Sequence, residues 1–236
     1  MPKSITWDED SKYLYEIGVD HGVLYLRNGA HGSYTNGIAW NGLTNITETP
    51  SGAEASKLYA DNTKYIEIRS AEEFGGTIEA YAYPKEFEQC NGAFSPCPGL
   101  LFNQQPRRQF ALSYRTKIGN KRNLDEYGYK IHLVYGALAS PSEKSYQTTN
   151  DSPEAVQFSW EFSTTPILVA SLQKPVSSIV IDSTKVSPGK LAYIEKILYG
   201  SEEQESRIML PAEVVSIIEN TTLPIVGSAI VGEAVV

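Results

Sequence analysis

The chain has 236 residues, a formal net charge of −8 and a sequence pI near 5.0. This length suits one large domain, or a domain with a small appendage, that can bury a sizeable core. The acidic balance argues against a protein whose main task is to hold nucleic acid by its phosphates. Frequent Tyr, Thr, Ser and Gly, with 20% charged residues, favour a soluble β-rich protein over a helical bundle.

The N-terminal residues 1–20 are polar and acidic, and we expect them to form an arm that a neighbour orders. They contain no apolar stretch typical of a secretory signal, and no apolar run approaches the roughly 20 residues that span a bilayer. In a chain made in a reducing cytosol, Cys90 and Cys97 are expected to be reduced and structural, with a disulfide as the alternative. Because no histidine lies near these two thiols, a zinc site is not expected.

Short strands are predicted at residues 22–27 and 37–47, the second broken by Asn41-Gly42, and residues 48–60 are expected to form a loop. The central stretch of the chain is residues 63–88.

Within this stretch, Lys64–Arg69 and Thr77–Tyr83 alternate polar and apolar residues. Such alternation predicts two strands of a hairpin, each with one dry and one wet face. The intervening SAEE (70–73) matches a capping box, which predicts one helical turn between the strands. Because a two-stranded unit is marginal alone, the hairpin is expected to join a larger sheet.

A short helix is predicted from Pro84 to Cys90, followed by a Gly/Pro-rich loop at 91–106. The strongest strand predictions in the chain are three alternating runs, whose apolar faces are Phe110, Leu112, Tyr114; Tyr127, Tyr129, Ile131, Leu133, Tyr135; and Val156, Phe158, Trp160, Phe162.

A polar loop at 140–151 separates the last two of these runs. Ser177–Asp182 is predicted as a strand, Ser187–Gly200 as an amphipathic helix, and the residues after Pro211 as a shorter helix. These elements place one domain at 1–220 and an extended, apolar C-terminal tail at 221–236 that would need a groove or a strand partner.

No recognisable catalytic motif is present: there is no glycine-rich phosphate loop, no G-x-S-x-G and no H-E-x-x-H. The three histidines lack metal-ligand spacing, and His132 is expected to face solvent. The adjacent pairs Glu72-Glu73 and Glu202-Glu203 would diverge on helical turns, although carboxylates distant in sequence could still form a glycosidase pair. We therefore predict a non-enzyme with no catalytic, metal or cofactor-binding residues.

Charge is unevenly distributed along the chain. Residues 61–88 hold seven acids against three bases, and residues 107–122 hold six bases and no acid. These sets are either two solvated faces of one protein, a nucleic-acid patch, or complementary surfaces that meet between copies and fix register. The candidate inter-subunit residues are Glu72, Glu73, Glu86, Glu88, Arg107, Arg108, Arg115, Lys117, Lys121 and Arg122.

The stretch GIAWNGLTNITETPSGAEASKLYADNTKYIEIRSAEEFGGTIEAYAYPKEFEQCNG (37–92) resembles the major tail proteins, or tail tube proteins, of long-tailed phages of Gram-positive bacteria. Residues 102–120 and 126–166 and the Ser187–Gly200 helix fit the same family. The resemblance covers about residues 20–220.

The resemblance implies a mainly β fold, a β-sandwich or barrel-like core with one or two short helices and extended arms and loops. Subunits of this family form hexameric rings that share an inner β-barrel and stack into a hollow tube. The implied partners are other copies of the chain, a tape-measure protein, a tail terminator, and distal tail or baseplate proteins, with DNA as transient cargo. The implied location is the virion tail, assembled in the host bacterial cytoplasm.

An acidic tube wall would keep passing DNA from adhering, because it repels phosphate. We hypothesise that Glu67 and Glu79, on the wet face of the 63–88 hairpin, line the lumen. The strand pair 108–117 with 127–137, or the stretch 142–162, could supply the inner wall instead. The alternative function is a β-sandwich carbohydrate- or receptor-binding module of a virion, for which Trp40 is the free aromatic side chain.

Overall fold

A computed structural model describes residues 13–29, 33–121, 124–148, 151, 155–169 and 174–219. The fold is mainly β, as predicted, with two α-helices. Its strands are β1 (Leu14–Leu26), β2 (Ile38–Trp40), β3 (Leu43–Glu48), β4 (Ser51–Gly52), β5 (Ala55–Ala60), β6 (Thr63–Arg69), β7 (Glu72–Glu73), β8 (Gly75–Ala80), β9 (Phe110–Asn120), β10 (Leu124–Ala139), β11 (Phe158–Thr164) and β12 (Ser178–Asp182). Its helices are a 3-10 helix (Lys85–Gln89), α1 (Pro188–Tyr199) and α2 (Pro211–Glu219).

The main sheet is antiparallel, with strand order β2-β1-β9-β10-β11-β8-β3 and β12 added to β10. The two ends of this order, β2 and β3, are joined only by Asn41-Gly42, where Gly42 has a φ of 82°. The sheet therefore curls back on itself into a barrel-like layer, because its first and last strands are consecutive in the chain.

The sheet buries side chains on both of its faces. Inside the barrel, Trp160 packs edge-on against Trp40 and Phe87, at centroid distances of 5.8 and 5.1 Å. On the outer face, Tyr25 and Tyr135 donate 2.8 Å hydrogen bonds to the carbonyls of Leu198 and Met209. These bonds attach the layer of α1 and α2, so alternate residues of β1, β9 and β10 serve two separate cores.

Strand β10 bends at Gly136, whose φ is 60°. A Cβ at this position would lie 2.4 Å from the carbonyl oxygen of Thr165, so the bend requires glycine. On one side of the bend β10 pairs with β12, and on the other side it pairs with β11.

A long bent hairpin extends from the main sheet. In it β3 pairs with β8, β4 with β7, and β5 with β6. We call residues 49–74 the hairpin arm, and β5 with β6 its distal ribbon.

The hairpin arm corrects three sequence predictions. Residues 48–60 are largely strand rather than loop. The segment 70–73 contains β7 rather than a helical turn, because Glu72 and Glu73 pair with Gly52 and Ser51. Finally, β6 pairs with β5 and not with β8, so the two predicted strands do not form one two-stranded unit.

The remaining predicted elements lie where expected, including the short helix after Pro84, both α-helices and the strands of the three alternating runs. The predicted N-terminal arm is shorter than residues 1–20, because Leu14–Asp20 belong to β1. Residues 140–148 have no regular secondary structure. Residues 1–12 and the predicted tail at 221–236 lie outside the described residues.

Candidate functional site

The distal ribbon exposes an apolar face. Leu58 lies opposite Ile66, and Ile68 follows on the same side, with exposed fractions of 47%, 46% and 53%. The bulky Tyr59 and Tyr65 are also exposed. Neither β5 nor β6 packs extensively on another element of the described chain. The dry face predicted for Ile66 and Ile68 is therefore not covered by the residues that the structure describes.

Glu67 lies on this ribbon opposite Lys57. Its carboxylate accepts hydrogen bonds from Lys64 and, at 3.1 Å, from Arg69. These two cations hold the pKa of Glu67 below its ordinary value. Glu67 is thus a locally neutralised side chain rather than an unpaired acid.

Glu79 lies on β8 in the main sheet, where Asn45 and Gln157 donate amide hydrogen bonds to its carboxylate at 3.2 and 3.3 Å. Glu67 and Glu79 therefore lie in two separate sheets, whereas their joint assignment to a lumen assumed one two-stranded unit. Glu79 instead belongs to the outer face of β3, β8 and β11, which presents the side chains Asn45, Thr47, Thr77, Glu79, Ser159 and Glu161.

A hydrogen-bonded cluster lies at the root of the hairpin arm. The Tyr114 hydroxyl donates to Glu48 at 2.5 Å, and His132 Nδ1 lies 3.2 Å from the same carboxylate oxygen. His132 Nε2 is 3.0 Å from the Thr116 hydroxyl, and the imidazole stacks on Tyr114 at 4.6 Å. The expectation of a solvent-facing His132 is wrong, because its side chain is only 12% exposed. With both ring nitrogens partnered, the cluster links β3 to β9 and β10.

The basic residues of 107–122 do not form one surface. Arg115 forms a bidentate ion pair with Asp20, at 2.7 and 3.1 Å, and Lys117 pairs with Asp125 at 3.2 Å. Burial alone would raise the pKa of Asp20, but the hydrogen bonds and charge of Arg115 outweigh it and hold that pKa below its ordinary value. Lys121 lies over the Tyr13 ring, and Arg122 is outside the described residues.

Arg107 and Arg108, by contrast, line a groove of about 1030 Å³ together with Arg27. We call these three residues and their surroundings the arginine groove. Sequence reasoning missed Arg27, because nothing in the pattern of β1 indicates that its end meets the segment before β9. The hydrogen bond from Arg108 Nε to the Arg27 carbonyl, at 2.7 Å, joins the two segments.

The acidic residues also separate into two groups. Glu86 and Glu88, on the 3-10 helix, line a neighbouring groove of about 740 Å³ with Lys85 and Arg108, so acids and bases already adjoin within one chain there. Glu72 and Glu73 lie instead on the hairpin arm. Together with Glu54 they form what we call the acidic waist of the arm; sequence reasoning missed Glu54 because it assigned that stretch to a loop.

Other reactive features are few. Cys90 and Cys97 are free thiols, and burial raises the pKa of Cys90 to about 12. Among the residues that the structure describes, no group of three or more His, Cys, Asp or Glu side chains could hold a metal ion. The described helices are too short or too polar to cross a bilayer.

No protein-family model matches this chain, and a search of curated proteins finds no match either.

Proposed function

We propose that this protein is a structural virion subunit, the major tail protein of a long-tailed phage. Copies assemble into hexameric rings, and the rings stack into a hollow tail tube that conducts DNA. The observation that carries this proposal is the hairpin arm with its uncovered apolar face of Leu58, Ile66 and Ile68. The hexameric ring and the stacked tube are what the sequence resemblance over residues 20–220 implies.

The arm needs a partner for a physical reason. A two-stranded ribbon is marginally stable alone in water, and apolar area that stays exposed contributes nothing to its stability. A neighbouring copy can cover the ribbon in every subunit of a repeating assembly. Because the arm and the surface that receives it are different parts of the chain, the contact is heterologous and propagates rather than closing as a dimer.

The outer face of β3, β8 and β11 is the candidate inner wall of the tube. It is polar, and it carries the carboxylates of Glu79 and Glu161 without a basic residue among its paired positions. On β1, β9 and β10, by contrast, the outer face is apolar and is covered by α1 and α2. A polar, acidic wall repels the phosphates of passing DNA. The proposal thus keeps Glu79 as a lumen residue, adds Glu161 and places Glu67 in the arm.

Other proteins of the tail complete the proposed tube. A tape-measure protein fills the lumen during assembly, a tail terminator and distal tail or baseplate proteins cap its ends, and the tube forms in the host bacterial cytoplasm.

The alternative role, a carbohydrate- or receptor-binding module, loses its candidate aromatic side chain, because Trp40 is buried and its indole N–H donates to the Ala82 carbonyl at 3.0 Å.

Electron microscopy and sedimentation of the purified chain test the proposal. We expect rings or tubes of uniform bore. In an arm-shortened variant, an Asn-Gly turn replaces residues 55–69 after Glu54, which keeps β4 and β7 paired. This variant should retain the circular dichroism of the barrel and sediment as a monomer. A wild-type chain that stays monomeric at high concentration would contradict the proposal.

A further inference from the structure

The arginine groove is lined by both basic and apolar side chains. Arg27 follows β1, and Arg107 and Arg108 precede β9. The apolar lining includes Ile167 and Leu168, the latter 83% exposed. The groove of about 1030 Å³ is large enough for several side chains of a partner.

All three guanidinium groups are held by uncharged acceptors. Arg108 donates to the Asn28 side-chain oxygen at 2.7 Å and to the Gln89 side-chain oxygen at 3.0 Å. Arg27 donates to the Gln109 side-chain oxygen at 2.7 Å, while its buried Nε has no hydrogen-bond partner. These contacts orient the groups without compensating their charge.

Arg107 is the least constrained of the three, with hydrogen bonds of 3.3 to 3.4 Å to the Asn91 side chain and to the carbonyls of Ala139 and Ser140. Across the described ranges of the chain, no carboxylate forms an ion pair with any of the three arginines, although Glu86 and Glu88 line the neighbouring groove with Arg108. Arg115, which is paired with Asp20, shows how the same chain neutralises an arginine elsewhere. Partly buried cations without a counter-charge are costly, so the groove is suited to an anionic partner.

The acidic waist carries negative charge that has no counter-charge beside it among the described residues. Glu54, Glu72 and Glu73 are exposed, and none of them pairs with a cation in the described part of the chain. Further along the arm the situation changes, because Glu67 is neutralised by Lys64 and Arg69. In the described part of the arm, the waist therefore holds three of the four carboxylates that have no ion pair, and the fourth, Asp61, lies in the turn at the far end.

We propose that the arginine groove binds the acidic waist of a second copy of this chain. Glu72 and Glu73 are successive strand residues that point to opposite faces of the ribbon, so the guanidinium groups face the carboxylates on one side of the waist. The planar arginine fork favours this pairing geometrically. Copies that each carry a net charge of −8 repel one another overall, so a local contact of opposite charge is needed to fix the register of the arm. The inference rests on the proposed function, since it requires that copies assemble.

The first experiment replaces the acidic waist. The double variant Glu72→Lys/Glu73→Lys places positive charge opposite the arginines. We expect it to raise the protein concentration required for half-maximal assembly by at least about tenfold, measured by sedimentation. The matched control Glu202→Lys/Glu203→Lys changes another adjacent, exposed acidic pair and should stay within about twofold of wild type.

The second experiment is a charge swap. Arg107→Glu/Arg108→Glu should also block assembly, because one arginine and two glutamates give its groove a net negative charge that repels the wild-type waist. Mixed in equal amounts, Arg107→Glu/Arg108→Glu and Glu72→Lys/Glu73→Lys should assemble together, since each waist then meets a groove of opposite net charge. Thermal unfolding of each variant, expected near wild type, separates a lost contact from a lost fold.

The outcomes distinguish the inference from the function on which it rests. If the waist variant assembles at the wild-type concentration, the groove assignment is wrong while the tube remains. If Arg107→Glu/Arg108→Glu assembles normally but loses binding to duplex DNA, the groove is a phosphate site and the inference is overturned. If the wild-type chain forms no assembly, both the function and the inference fail.

Discussion

The barrel and the hairpin arm have the same alternating sequence pattern but different surroundings. In the barrel, β9 sends Phe110 and Leu112 inward and Ala111 toward the helices, and all three are buried. In the distal ribbon, Ile66 and Ile68 alternate with Tyr65 and Glu67 in the same way, yet both isoleucines are about half exposed. Period-two alternation therefore identifies a strand, but it does not tell which molecule covers the apolar side.

Each of the two regions contains both compensated and uncompensated charges. In the barrel, Arg115 pairs with Asp20, whereas the arginine groove at the ends of β1 and β9 has no ion pair among the described residues. In the arm, Glu67 pairs with Lys64 and Arg69, whereas the acidic waist has no ion pair among the same residues. Charges that are paired within one chain stabilise that chain, whereas the unpaired charges would gain partners only in an assembly.

The largest effect on the single chain is expected in the barrel. Trp160→Ala should lower the free energy of unfolding by about 3–5 kcal/mol, because it removes the largest fully buried side chain of the barrel interior and leaves a cavity. Urea denaturation of the monomer measures the change. Tyr65→Ala, at a position 76% exposed on the arm, should stay within about 0.5 kcal/mol of wild type. Comparable losses for both would remove the distinction between the regions.

An intermediate, pH-dependent effect is expected where the two regions join. The hydrogen bond from His132 has the largest effect on the pKa of Glu48 and holds it below its ordinary value of 4.5. Burial of the carboxyl opposes this effect, and the hydrogen bond from Tyr114 adds to it. A lowered folded-state pKa means that the charged carboxylate stabilises the fold above the unfolded-state pKa, and that this stability is lost as the pH falls through the folded-state pKa.

Denaturation between about pH 7 and about pH 3 tests this sign, because titration of a single carboxyl changes stability only around its two pKa values. Wild type should be more stable than Glu48→Gln at the neutral end, and the difference should shrink at the acidic end. Glu202→Gln, at an exposed carboxylate outside the cluster, serves as the control. A difference that does not vary with pH would show that the Glu48 charge is not involved.

The smallest effect on the single chain is expected in the distal ribbon of the arm. Ile68→Ser should change the free energy of unfolding of the monomer by no more than about 0.5 kcal/mol, because its side chain is already half exposed. The same change should weaken assembly measurably in sedimentation. Ser56, which lies opposite Ile68, offers the matched control Ser56→Ala. An Ile68→Ser monomer that unfolds much more easily would indicate that the ribbon packs on its own subunit.

Much of the fold follows from local pattern. The apolar alternation of β9, β10 and β11 and the apolar spacing in α1 depend on neighbours a few positions apart, so the sequence contains them. The SAEE prediction failed for a related reason. A capping box is a local preference, and here the pairing of Glu72 with Gly52 outweighs it.

The candidate sites were less predictable, because they combine residues that are distant in the chain. Arg107 and Arg108 stood out as a basic pair, but Arg27 joins them only through the pairing of β1 with β9. His132 gave no sign of its contact with Glu48, since the strands carrying them meet across the mouth of the barrel. Contacts of this kind follow from topology rather than from periodicity.

The connectivity of the arm has a consequence for the order of folding. Its pairs, such as Leu58 with Ile66, lie close together in sequence, whereas the barrel requires Leu26 to meet Phe110. Loop-closure entropy makes the distant pairing slower, so we expect amides of β6 to gain protection before those of β9 in pulse-labelled hydrogen exchange. Each new chain would then have a formed distal ribbon, with its exposed apolar face, before its barrel has closed. Synthesis of many chains close together would therefore favour association of incompletely folded copies.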